Sequence, residues 1–217
     1  MKKGLTELVF ILDRSGSMGG LESDTIGGYN SLLARQKQEA GEAIVTTVLF
    51  DDRYELLHDR INLRGIEAIT DRDYFVRGST ALLDAIGRTI NKITNAQSHT
   101  TEAEWAEHVM FVITTDGLEN ASCEFSYKNV RQMVEEQKHK HGWEFIFLGA
   151  NIDAVATAEQ FGITPDRAVD YAADSAGTAL NYAVISDTVS HLRCEASIPK
   201  DWKERIEDDL AQRRSKR

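Results

Sequence analysis

Two aspartates, two serines and a threonine stand in three short segments whose side chains could hold a cation. In Asp13-Arg14-Ser15-Gly16-Ser17 an apolar run stops at one acid followed by two alternate hydroxyls. Gly78-Ser79-Thr80 and Thr115-Asp116-Gly117 add a hydroxyl and a second acid. All five candidates, Asp13, Ser15, Ser17, Thr80 and Asp116, are hard oxygen donors without Cys or His. That set suits Mg²⁺, Mn²⁺ or Ca²⁺ and argues against zinc. Two carboxylates would balance a dication, and three neutral hydroxyls would leave it electrophilic enough to accept a further carboxylate from outside. Taken alone, Asp13, Ser15 and Ser17 are more often turn and capping residues; the metal reading needs the other two segments beside them.

The segments need elements to bring them together. Continuous apolar runs at residues 8–12, 44–50, 109–114 and 145–148 read as strands buried on both faces, as a helix-covered parallel sheet demands. Residues 54–58 are expected to pair antiparallel with the second run across Asp51-Asp52-Arg53, forming an edge hairpin, and residues 168–171 are a further strand candidate. Leu82, Leu83, Ile86, Ile90 and Ile93 recur at helical spacing over residues 80–94, with Ser79 as the expected N-cap. Residues 22–37 show a similar face, interrupted by Gly27 and Gly28, which suggest close packing against a neighbour. Helices are also expected at residues 128–139, 153–161, 175–192 and 199–213. This alternation predicts one α/β, doubly wound, mostly parallel sheet with one antiparallel edge strand and helices on both faces. In such sheets ligands bind outside the carboxyl ends of the strands, where the three segments lie.

With their order, wide separation and structural contexts, Asp13-x-Ser15-x-Ser17, Gly78-Ser79-Thr80 and Thr115-Asp116-Gly117 resemble the three pieces of the metal-ion-dependent adhesion site of von Willebrand factor A domains. The resemblance covers about residues 5–195. It implies a Rossmann-like fold and a protein-binding module rather than an enzyme. Ser15, Ser17 and Thr80 would hold Mg²⁺ (or Mn²⁺ or Ca²⁺) through their hydroxyls. Asp13 and Asp116 would act directly or through water, and a partner Asp or Glu would complete the ion. The short first strand fits a bacterial or phage-type intracellular member. Residues 1–196 are read as the A-like domain; residues 197–217 form a C-terminal helix and basic tail packed on it or extending from it.

Composition narrows the alternatives. The chain has 217 residues, 41% hydrophobic and 28% charged, which is globular in character. A net charge of −10 makes nucleic acid an unlikely partner despite the terminal Arg213-Arg214-Ser215-Lys216-Arg217. No run approaches the ~20 apolar residues of a membrane span, and Cys123 and Cys194 form no disulfide framework, so a cytoplasmic location is expected. The rival function is a Mg²⁺-dependent phosphatase of the haloacid dehalogenase type, which also begins with a strand ending in Asp. That chemistry needs a second acid two residues on, where this chain has Ser15. Arg14 is read either as facing an acidic partner or as solvated. Glu119 and Asn120 are read as surface loop, Cys123 as a half-buried structural thiol, and Trp105, Trp143 and Trp202 as separate core or helix contacts.

Overall fold

The computed structural model describes residues 1–215. Six strands form one sheet: β1 (Lys2–Asp13), β2 (Glu42–Phe50), β3 (Tyr54–Asn62), β4 (Ala106–Thr115), β5 (Glu144–Ala150) and β6 (Ala168–Tyr171). Their order is β3-β2-β1-β4-β5-β6, and all neighbours are parallel except the β2–β3 hairpin. Each expected strand is present. β1 and β3 run longer than their apolar cores because backbone pairing continues past the residues that need burial. At β3, Arg60 adopts φ 51°, where the pairing with β2 shifts register. Such a bulge twists an exposed edge away from further strand addition.

Six helices cover the sheet: α1 (Glu22–Gln36), α2 (Leu82–Ser98), α3 (Tyr127–His141), α4 (Ala154–Gln160), α5 (Ser175–Glu195) and α6 (Glu204–Ser215). Alternate residues of β1 feed two cores, as the period of a strand requires. Leu8, Phe10 and Leu12 pack with Tyr29 and Leu32 of α1 and with Ile185 and Val189 of α5. Val9 and Ile11 pack with Ile86 and Ile90 of α2 and with Val130 and Val134 of α3. A methyl group at Gly28 would run into the Tyr182 ring, so that glycine does set the approach of α1 to α5; Gly27 faces open space, and packing does not account for it.

Between residues 197 and 215 the chain packs back on the sheet's helices. Trp202 and Ile206 join the α1–α5 core, and the Trp202 indole donates to the Asp166 carbonyl at 2.8 Å. Arg213 of the basic tail pairs with Asp209 and with Asp174, which leaves Arg214 beside it; Lys216 and Arg217 lie outside the described residues. The tryptophans are less separate than their spacing implies, because Trp105 and Trp143 both lie against His141, with ring centroids at 5.4 and 6.4 Å. Among the described residues no helix is long and apolar enough to cross a membrane.

Candidate metal centre

Strand order reverses at β1: its sequence neighbour β2 lies on one side and β4 on the other. Asp13 ends β1 and Asp116 follows β4, so the two acids flank the crevice that this reversal opens. The loops are tied together by backbone hydrogen bonds. Gly16 N donates to the Gly78 carbonyl at 3.2 Å, and Asn120 N donates to the Thr80 carbonyl at 3.0 Å. Side chains converge accordingly. The Ser15 and Ser17 hydroxyl oxygens are 3.1 Å apart. A methyl group built on Gly117 would lie 3.2 Å from Ser17 Oγ and 3.3 Å from Thr80 Oγ1. Hydroxyls from the first and second loops therefore meet at the backbone of the third.

The carboxylates are buried and oriented. Asp13 Oδ1 accepts from Ser15 N and Asp13 Oδ2 from the Thr115 hydroxyl, each at 2.6 Å. Asp116 Oδ1 accepts from the Asn151 side-chain amide. Burial pushes the Asp13 carboxyl above its usual range, against the opposing hydrogen bonds. Burial raises Asp116 too, and the nearby Asp13 charge adds to the rise. Two desolvated like charges sharing a crevice resist joint ionisation unless a cation joins them. Among the described residues no cluster of three or more His, Cys, Asp or Glu side chains is arranged to hold a metal ion. Any ion here would depend on the hydroxyls, and this all-oxygen donor set fits a small hard dication.

The surroundings correct several expectations. Ser79 does not cap α2. That helix begins at Leu82 with Ala81 before it, and its first amides are met from another loop: Leu83 N donates to Glu119 Oε2 at 2.8 Å and Asp84 N to Ser122 Oγ at 3.0 Å. Thr80 thus precedes the helix, with its N–H donated to Asn120 Oδ1 at 2.9 Å. Glu119 and Asn120 are consequently supports of the second loop, a role that sequence spacing does not betray because the partners lie some forty positions away. Cys123 is exposed, as is Cys194, and both are free thiols.

Arg14 is neither solvated nor outward: it is completely buried. Its Nη2 donates to Glu55 Oε2 at 2.6 Å, and its Nε lies 3.5 Å from Asp51 Oδ2. Arg77 Nε donates to the same Asp51 oxygen at 2.5 Å, and Ala81 N donates to the Asp51 carbonyl at 2.9 Å. The β2–β3 turn therefore clamps the first and second loops from behind. Gly78 makes that fit possible: its φ is +67°, and a Cβ there would strike the Asp52 carboxylate. Of the supporting residues the sequence reading passed over, Thr115 sat inside a chosen segment, and Asn151 follows β5, where the strand-end rule directs attention.

No family model matches this chain, and no curated protein does. Solved structures do. Proximal thread matrix protein 1 from the mussel byssus superposes with a TM-score of 0.61 at 15% identity, covering 86% of this chain and 46% of that one. Another structure of the same mussel protein has a zinc-occupied MIDAS motif. Manganese-loaded TRAP protein of Plasmodium vivax gives a TM-score of 0.55 at 17% identity, with coverage of 83% and 72%. The vWF domain of the pilus tip protein Mfa5 from Porphyromonas gingivalis gives 0.57 at 12%, with coverage of 85% of this chain and 94% of that domain.

This chain has the von Willebrand factor A fold. It spans about half the length of the mussel structures (46%) and nearly all of the Mfa5 domain (94%). At these identities the likeness is one of fold. Within it, the crevice at the β1–β4 switch is where the A fold of this chain gathers Asp13, Ser15, Ser17, Thr80 and Asp116.

Proposed function

We propose that this chain is a metal-dependent protein-binding module, with Mg²⁺ as its resident ion and a partner Asp or Glu as its target. The observation that carries this reading is the meeting of the Ser17 and Thr80 hydroxyls at Gly117, beside two buried, oriented carboxylates. Ser15, Ser17 and Thr80 would hold the ion through their oxygens, and Asp13 and Asp116 would neutralise it, directly or through water. When bound, the ion supplies an electrophilic coordination position for a carboxylate from outside. Thr115 and Asn151 orient the two acids, and Ser15 N fixes the rotamer of Asp13. The zinc and manganese in two structural relatives support the choice of a divalent ion. Ser15 at the position where a phosphatase requires its second acid supports binding rather than hydrolysis. The free thiols support a reducing, cytoplasmic setting.

The test is calorimetric titration of Mn²⁺, as a stand-in for Mg²⁺, into chelator-stripped protein beside a Ser15→Ala/Ser17→Ala double variant. One-to-one binding lost in the double variant is the expected result. Binding that survives the change, or no binding by the wild type, returns Asp13-Arg14-Ser15-Gly16-Ser17 to the role of a capped turn.

A further inference from the structure

Phe75 stands just before the second loop and is 43% exposed, although the residue beside it, Tyr74, is completely buried. Its position is locked to the first loop on both sides. The Tyr74 hydroxyl donates to the Asp13 carbonyl at 2.5 Å, and Arg77 N donates to the Arg14 carbonyl at 2.8 Å. Residues 74–77 are thus stapled along the backbone of Asp13 and Arg14.

The ring itself is gripped by cations. The Arg14 and Arg77 guanidinium carbons lie 5.6 and 5.4 Å from its centroid, within cation–π range. Both guanidinia are in turn held by Asp51 and Glu55, so two positive and two negative charges balance behind the ring. An exposed aromatic usually has rotamer freedom to lose when it is covered. This one has little left, and such preordered aromatics are the side chains that concentrate binding energy at interfaces. A balanced ion network behind it also sets up no repulsion against an incoming acid.

We infer that Phe75 is a partner-contacting anchor at the rim of the metal centre, and that the partner presents its acidic residue next to a bulky apolar side chain that packs on this ring. The inference rests on the carboxylate-docking function proposed above and names the chemistry of the target. Leu118, 65% exposed and one residue past Gly117, extends apolar surface on the third loop. Phe75 and Leu118 are two of only five large hydrophobic side chains exposed among the described residues, and both adjoin the metal-site loops.

The probes are two capped peptides, Gly-Leu-Asp-Leu-Gly and Gly-Gly-Asp-Gly-Gly, titrated in excess Mg²⁺ and followed by amide chemical shifts. Wild-type protein should bind the leucine-flanked peptide about tenfold more tightly, as burial of one anchor side chain warrants. Phe75→Ala, a surface change, should remove that preference while leaving Mn²⁺ affinity and the glycine peptide's affinity unaltered. Equal binding of the two peptides by the wild type, or a preference that survives Phe75→Ala, would overturn the inference and leave the metal-binding function standing. If neither peptide binds metal-loaded protein, carboxylate docking itself is wrong, and the inference falls with it.

Discussion

Two pairs of acids lie near the sheet's carboxyl edge, Asp84 with Glu119 and Asp13 with Asp116, and they use the same functional group in opposite ways. Around Asp84 and Glu119 the carboxylate oxygens are spent on backbone. Asp84 accepts from the amides of Cys123, Glu124 and Phe125, each at 2.9 Å. Glu119 accepts from Leu83 and Ser122 amides at 2.8 Å and from Ala121 at 3.0 Å. Around Asp13 and Asp116 two acids instead face one crevice, and between them they accept from one hydroxyl, one side-chain amide and only one backbone N–H. A carboxylate saturated by backbone amides is a structural staple. A pair of carboxylates left to repel one another among hydroxyls holds charge that an ion can use.

The sharpest way to break this contrast is to remove one acid from each cluster. Asp116→Ala should cost Mn²⁺ affinity more than the ~100-fold that loss of an outer-sphere partner costs, with the fold retained, as read by calorimetry and circular dichroism. Asp84→Ala should behave in the opposite sense. Stranding three amides should destabilise the chain by about 3 kcal/mol in urea unfolding. If Asp84→Ala proved neutral in stability, the staple role assigned to it would be wrong.

The pH response should separate the clusters next. Folded Asp13 and Asp116 hold their protons above the ordinary carboxylate range, so the folded state binds more protons than the unfolded chain there. Without metal, their contribution therefore reduces stability as pH rises through that window. A bound ion needs both acids ionised, so the rise in Tm given by excess Mn²⁺ should grow from about pH 4 to about pH 7. A Mn²⁺ effect of constant size across that range would separate the ion from these two acids.

Smaller effects test the supports. Asp51→Asn keeps the shape of the β2–β3 turn but removes the charge that Arg14 and Arg77 share, and Mn²⁺ affinity should fall about tenfold. Unchanged affinity would confine that turn to a purely structural part. The smallest change is expected from Ser79→Ala, since Ser79 is exposed and caps nothing, whereas Thr80→Ala removes a hydroxyl from the crevice. The reverse ranking would move the second loop's ligand by one residue.

Much of this was legible in the chain itself. Unbroken apolar runs announced buried parallel strands, and two of them, residues 8–12 and 109–114, end beside residues chosen as the site. The edge hairpin followed from the short turn at residues 51–53. Reading failed where partners are distant. Arg14 looked like a surface cation, yet the β2–β3 turn closes over it and supplies two acids. Ser79 looked like a helix cap, yet the first amides of α2 turn to Glu119 and Ser122. Glu119 and Asn120 do lie in a loop at the surface, as expected, but their hydrogen bonds to Leu83 and Thr80 join residues that spacing does not relate. Phe75 carried no periodic or spacing signal at all.

What the sequence determined by itself is the fold class and the donor types, because periodicity and strand ends are local properties. What only the tertiary structure decided is which polar groups are used up. Hydrogen bonds and ion pairs form between residues that spacing does not relate, and only their three-dimensional accounting distinguishes a staple such as Asp84 from a candidate ligand such as Asp116.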